Sequence, residues 1–176
     1  MAEELDRHRA GGAIVTAPAP LDAKIHDMAG FDCGKPALNA WLRDHAAKSE
    51  GSTARTYVVC EGRKVIGYYC ISAGSIERAA MPAKVKKHGL PNPIPVAIIG
   101  RLARDLSYKG AGLGADLLSD AVKRVAAASE ILGVRAIIVH ALDADSVPFY
   151  SRYGFMPCSI GDKTLFLPLE TISAAI

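Results

Sequence analysis

The sequence predicts a mixed α/β fold of the α+β kind, one domain built around a single central sheet. Three observations predict it. Short β-rich runs are bounded by turn residues, isolated helical patterns lie between them, and 176 residues with half the chain hydrophobic and 22% charged suit one globular domain. A chain of this length buries a real core. No internal repeat or long linker divides it. The domain is expected at residues 12–170, with a flexible, charged tail at 1–11 and a short tail at 171–176.

The elements follow in order. Residues 12–17 read as a first short strand. Residues 32–50 read as a loop and then a helix, because Leu38, Trp41, Leu42 and Ala46 recur at helical spacing with Arg43, Asp44 and Lys48 between them. That spacing makes Trp41 a core residue. Residues 56–60 and 65–72 are β-branched and aromatic, joined by a hairpin-like Glu61-Gly-Arg-Lys64. Pro82, Pro91, Pro93 and Pro95 make the end of the next stretch a loop, with room for a short helix at 83–88. Residues 94–105 read as a strand. Residues 113–128 form a helix with Leu117, Ala121, Val122 and Val125 on its apolar stripe and Asp116, Asp120, Lys123 and Arg124 mostly opposite. Gly133 supplies its stop. A buried strand spans 134–142. Asp143 or Asp145 caps a short helix through Tyr153, with Pro148 in its first turn and Gly154 at its end. Residues 155–159 and 163–169 are the last strands.

Composition narrows the function. No apolar run reaches the ~18 residues of a membrane span. The N-terminus, MAEELDRHRAGG, lacks the apolar stretch of a signal peptide, so a cytoplasmic protein is expected. Cys33, Cys60, Cys70 and Cys158 form no C-x-x-C pair, which favours reduced thiols and argues against a zinc site; no metal is expected. The net charge of +3 is uninformative, but Arg78, Lys84, Lys86 and Lys87 stand against Glu77 alone. Such a cluster fits either an anionic partner or a solvated loop.

The informative segment runs from Arg101 to Leu118, where a strand passes through Lys109-Gly-Ala-Gly-Leu-Gly114 into a helix. Glycines let backbone N–H groups crowd round an anion, and the helix N-terminus adds about half a positive charge. The segment reads as a pyrophosphate site or as an ordinary helix entrance. It is not a P-loop, because no G-x-x-x-x-G-K-[ST] is present. Gly110-x-Gly112-x-x-Ala115 fits the dinucleotide fingerprint, but the acidic residue at the required offset, Glu130, lies in the helical pattern and not at a strand end.

Lys109 to Gly114 resembles the [Q/R]-x-x-G-x-[G/A] signature of the GNAT superfamily of N-acetyltransferases, with Lys in the first position. Ser146-Val-Pro-Phe-Tyr-Ser-Arg-Tyr-Gly-Phe155 resembles a second element of that family. The resemblance implies a central sheet with two splayed parallel strands, acetyl-CoA as acetyl donor, the pantetheine arm on backbone groups of Leu102, Ala103 and Arg104, and the pyrophosphate on Lys109, Gly110, Ala111, Gly112, Leu113 and Gly114. It also implies Tyr150 as general acid toward the departing sulfur; from the residues alone, Tyr150 reads rather as packing beside Phe149.

A narrower resemblance is to the GNAT toxins of bacterial toxin–antitoxin pairs. It rests on Phe31-Asp-Cys-Gly-Lys-Pro-Ala-Leu-Asn-Ala-Trp-Leu42, Arg55-Thr-Tyr-Val-Val59, Ile94-Pro-Val-Ala-Ile-Ile-Gly-Arg-Leu-Ala103, Val134 to Leu142, and Lys163 to Leu169. Arg104 stands where the group usually has Val. This resemblance implies an enzyme that acetylates the α-amine of aminoacyl-tRNA and stops translation, a homodimer, and a ribbon-helix-helix antitoxin. It gives the basic residues Arg78, Lys84, Lys86 and Lys87 a polyanion to meet. A GNAT enzyme acting on a small amine or a protein N-terminus, and a module that binds acetyl-CoA or a partner without catalysis, remain the alternatives.

Overall fold

A computed structural model describes residues 14–86 and 88–173. The expected tail at 1–11, the last residues of the tail at 171–176, and Lys87 lie outside the described residues. The elements are β1 (Ala19–Pro20), α1 (Pro36–Asp44), α2 (Ala46–Ser49), β2 (Arg55–Glu61), β3 (Lys64–Ile76), β4 (Ile94–Arg104), α3 (Leu113–Ser129), β5 (Ala136–His140), α4 (Val147–Arg152), β6 (Met156–Pro157), β7 (Thr164–Pro168) and α5 (Leu169–Ser173). The strands form one mixed sheet in the order β1-β2-β3-β4-β5-β7-β6. Among the described residues, one compact unit takes in those through Ile71 with Arg101–Ala121, and a second takes in Ser72–Gly100 with those from Val122 on.

In the first unit β2 and β3 form the expected antiparallel hairpin, from Glu61↔Lys64 to Arg55↔Ile71, with Gly62 left-handed at its tip. Phe31, Leu42, Val58, Val65, Tyr68 and Ala103 lead its core. Trp41 packs against that core and stacks on Tyr68, as its helical spacing predicted. The helix breaks at His45 into α1 and α2. The first strand differs from expectation: Val15 makes only an isolated bridge to Glu61, and pairing as a strand falls at Ala19–Pro20. Pro18 and Pro20 have no N–H to give, which keeps this edge short.

In the second unit Ile76, Ile94, Val96, Ala136, Ile138 and Phe166 are buried together. β4 and β5 run parallel from Val96↔Ala136 to Ile99↔Val139. β5 ends at His140 while β4 continues to Arg104. β5, β7 and β6 are antiparallel neighbours. The helix expected at 83–88 is a single 3-10 turn over Ala83–Val85: the backbone is already extended at Lys86 and left-handed at Gly89, and Met81, Val85 and Leu90 pack on the core. α3 stops at Ser129, before Gly133, and Gly133 is not left-handed. The Ser129 hydroxyl donates to the Ala126 carbonyl, and Leu132 N–H to that of Ala128, so carbonyls of the last turn are satisfied without a glycine cap. α5 carries helical structure past residue 170. No helix among the described residues is long and apolar enough to cross a membrane.

Candidate functional site

The first unit builds the glycine turn step by step. β4 delivers Leu102 and Arg104 half-buried and Ala103 buried. Asp105 then caps a 3-10 turn over Leu106–Tyr108. Tyr108 N–H donates to Asp105 O at 3.1 Å, Lys109 N–H to Leu106 O at 3.1 Å, and Ala111 N–H to Tyr108 O at 3.2 Å, so the path has no slack. Gly110 and Gly112 sit at φ 80° and 83°, the left-handed region that favours glycine. A Cβ at either would meet nothing within 4 Å, so the backbone angle, not space, requires glycine there. Lys109, Gly110, Ala111 and Gly112 are exposed. α3 begins at Leu113, and the N–H groups of its first turn have no carbonyl of the helix to meet. Unpaired N–H groups at a helix start attract anions in general, and here the exposed Lys109 stands beside them.

Two contacts hold that helix start. Leu113 and Leu117 are buried on β3 over Gly67, where a Cβ would stand 3.2 Å from Leu113 Cδ2 and 3.0 Å from Leu117 Cδ1. One turn on, the Tyr69 hydroxyl donates to the Asp120 carboxylate. Asp120 therefore does not belong to the solvated face on which periodicity placed it; a buried tyrosine on β3 needs an acceptor, and Asp120 supplies it. Gly67 and Tyr69 are functional supports that sequence reasoning misses, since only pairing of strand and helix reveals them.

Asp105 is a third such residue. It is 5% exposed, and its carboxylate accepts from Ser107 N–H at 3.0 Å, Ser107 Oγ at 2.6 Å and Asp32 N–H at 3.0 Å. Burial pushes this carboxyl up, but the Ser107 and Asp32 bonds and the charge of Lys64 outweigh it and hold it below its ordinary value.

The second unit carries Tyr150 and the basic residues. Asp143 caps the turn before α4, accepting from Ser146 N–H at 3.0 Å and Ser146 Oγ at 2.7 Å. Pro148 lies in the first turn of α4 and Gly154, at φ 88°, follows the helix, both as predicted. Tyr150 is buried, edge-on to Phe149 at 5.1 Å and to Phe155 at 5.8 Å. Burial pushes its phenol up to about 12. Its hydroxyl has no hydrogen-bond partner among the described residues. Tyr153 is 42% exposed and lies edge-on to Phe149. His140 is held by Thr164 Oγ1 at 3.0 Å.

Arg78, Lys84 and Lys86 are exposed. They are not equivalent. The Arg78 guanidinium donates to the Leu90 carbonyl at 3.0 Å and its N–H to Asn92 Oδ1 at 2.8 Å, so Arg78 helps to close the loop. Lys84 and Lys86 point outward from a loop whose Met81, Val85 and Leu90 face the core. All four cysteines are free thiols, and no cluster of metal-ligating side chains occurs among the described residues.

The profile of the acetyltransferase (GNAT) family covers residues 23–155. The chain belongs to the GNAT acetyltransferases. This GNAT chain is 38% identical to the tRNA-acetylating toxin of Mycobacterium tuberculosis (strain ATCC 25618 / H37Rv) over 130 residues, which are 73% of this chain and 78% of that protein. The structure of AtaT complexed with acetyl-methionyl-tRNAfMet matches it with a TM-score of 0.85 at 34% identity, over 92% of this chain and 98% of that one. A tyrosine-to-phenylalanine mutant of the AtaT toxin, bound to the C-terminus of the antitoxin AtaR and acetyl-CoA, matches with a TM-score of 0.77 at 32% identity, over 92% and 97% of the two chains.

Proposed function

We propose that this GNAT acetyltransferase moves the acetyl group of acetyl-CoA to the α-amine of an aminoacyl-tRNA, blocks translation as a toxin, and is neutralised by a cognate antitoxin. One observation carries the reading: nearly the whole chain matches AtaT, solved with acetyl-methionyl-tRNA. The left-handed Gly110 and Gly112 ahead of α3 support a pyrophosphate at that turn. The kinship with the mycobacterial tRNA-acetylating toxin supports the same acceptor. The likeness to AtaT bound to AtaR and acetyl-CoA supports the donor and the antitoxin. A ribbon-helix-helix fold for that antitoxin, a homodimeric toxin and a cytoplasmic location belong to the same proposal.

Each residue has an assigned part. Backbone groups of Leu102, Ala103 and Arg104 take the pantetheine arm, and Lys109 to Gly114 take the pyrophosphate. Lys84 and Lys86 meet RNA phosphate, and Lys87, outside the described residues, is assigned with them; Arg78 joins them with whatever donors its bond to Leu90 leaves free. An α-amine titrates near ~8, so an appreciable share is neutral at about pH 7 and needs no strong base. Its nitrogen bonds to the thioester carbon, the C–S bond breaks, and the Tyr150 hydroxyl protonates the sulfur. The proton given up by the nitrogen restores the phenol, so the balance is amide plus thiol. A phenol raised to about 12 stays protonated at neutral pH.

The test is labelled acetyl-CoA with a pool of aminoacylated tRNAs, run beside deacylated tRNA, polyamines and peptides. Label on charged tRNA alone is the expected result, and sorting the product names the preferred tRNA. Label on amines or peptides instead makes the chain a GNAT enzyme of another substrate class. Bound acetyl-CoA with no transfer makes it a binding module.

A further inference from the structure

The carboxylate of Asp105 presents a physical puzzle. It is buried within a few residues of a turn assigned to an anion, where a negative charge repels the ligand, and burying a charge is itself costly. Its bonds resolve the puzzle. Oδ1 accepts the N–H and hydroxyl of Ser107, two residues into the turn, at 3.0 and 2.6 Å. Oδ2 accepts Asp32 N–H at 3.0 Å, and the Asp32 carbonyl accepts Leu106 N–H at 2.8 Å in return. Asp32 is itself fixed: its Oδ1 accepts Gly34 N–H at 2.8 Å and Asn39 Nδ2 at 2.9 Å. Gly34, at φ 80°, lies so close to the Leu106 side chain that a Cβ would stand 3.3 Å from Cδ2. The segment Asp32–Asn39 is thereby bolted to the point where β4 becomes the glycine turn.

We propose that Asp105 is the positioning residue of the pyrophosphate turn: its carboxylate fixes the angle at which the chain leaves β4, through Ser107 on one side and Asp32 on the other. It touches no part of the donor. It acts through the succession of turns from Asp105 O to Gly110, which passes any rotation at its first residue to the N–H groups beyond. The inference rests on the acetyl-donor reading above.

The test compares two donors, acetyl-CoA and S-acetylpantetheine, which share the thioester and pantetheine arm, while only acetyl-CoA carries the pyrophosphate and the nucleotide beyond it. Asp105→Asn replaces an acceptor oxygen by an amide that faces N–H groups. It is expected to weaken acetyl-CoA binding, read by calorimetry, by about tenfold or more, the scale on which a buried charge-assisted bond matters. Its kcat/KM with acetyl-CoA falls by the same factor, while kcat/KM with S-acetylpantetheine stays within about twofold. Ser107→Ala removes only the hydroxyl bond and shifts the same readings in the same direction by less; it serves if Asp105→Asn does not fold. Equal losses on both donors would make Asp105 a merely structural residue and overturn the proposal. So would unchanged acetyl-CoA binding in both variants. Wild-type protein that binds acetyl-CoA but acetylates no charged tRNA sinks the substrate reading alone, since the calorimetry still judges Asp105. Wild-type protein that binds no acetyl-CoA sinks both.

Discussion

In the unit that contains β2 and the start of α3, the groups assigned to the donor are backbone N–H groups, set by left-handed glycines and a helix start. In the unit that contains β5 and α4, the assigned groups are side chains: one buried phenol and exposed ammonium groups. The difference teaches how each region fails. A backbone site is a property of the chain path; it fails when that path moves, whichever residue moves it. A side-chain site loses its function when one atom is deleted and its path is untouched.

The largest effect therefore comes from a single oxygen. Tyr150→Phe keeps the ring against Phe149 and Phe155 and removes the hydroxyl. We expect kcat to fall by roughly 10²–10⁴-fold, the range of general acid catalysis, with acetyl-CoA affinity unchanged. Single-turnover kinetics with calorimetry check it; normal turnover would remove the chemistry from this unit. Next comes Gly112→Ala. A Cβ there meets no neighbour, so the cost is the left-handed backbone alone, about 1–2 kcal/mol. If the free turn relaxes to relieve it, binding must restore the path at that cost, roughly tenfold weaker acetyl-CoA binding; if the turn keeps its path, the same cost appears as lost stability and affinity is unchanged. The signature is a raised KM with kcat preserved, opposite to that of Tyr150→Phe. A fall in kcat with KM unchanged would show that the turn does not serve binding.

What was legible in the sequence follows the same division. The glycine turn could be read because its constraint is local: φ near 80° at Gly110 and Gly112 leaves its mark on those positions themselves. The β2–β3 hairpin and the caps at Asp143 and Gly154 are likewise local. Asp120 escapes a reading by periodicity because the helix pattern cannot know that Tyr69 waits on β3, 51 positions away. Asp105 was invisible because its partner Asp32 is 73 positions away and contributes a backbone N–H, which every residue but proline has. Gly67 carries no turn signal; its need arises only when α3 lies across it. Arg78 looks like one more cation, and only the folded loop shows its donor spent on Leu90.

The basic loop gives a smaller and salt-dependent effect. Lys84→Gln and Lys86→Gln are expected to weaken binding of charged tRNA several-fold at low salt and to leave acetyl-CoA binding unchanged. For every phosphate that a variant no longer neutralises, the slope of log K against log salt becomes shallower by about 0.7–0.9. Asn92→Ala keeps every charge but opens the loop beside Arg78; it should reduce affinity less, with the slope unchanged. Fluorescence anisotropy across a salt series separates the two. A slope identical in the wild type and all three variants would mean that these lysines face solvent, and the side-chain unit would retain only its tyrosine.

The smallest effect concerns stability in alkali and touches both units at once. Burial raises Cys60 in the first unit from 9.0 to about 11 and Tyr150 in the second from 10.0 to about 12. Both are neutral when protonated, so a raised folded value means that the unfolded chain loses its proton first. Their contribution is complete below the unfolded values and is lost as pH rises through the folded ones. The melting temperature should hold to about pH 9, decline first as Cys60 is affected, and decline further above about pH 10 as Tyr150 joins it. Tyr150→Phe makes only that upper part shallower, because a phenylalanine has no proton to lose while Tyr68 and Tyr108, also raised by burial, still contribute. Thermal melts of both proteins between about pH 8 and 12 decide the matter: parallel curves would mean that the Tyr150 hydroxyl titrates in the folded protein as it does in water, and a solvated phenol would then replace the buried one as the acid of the proposed reaction.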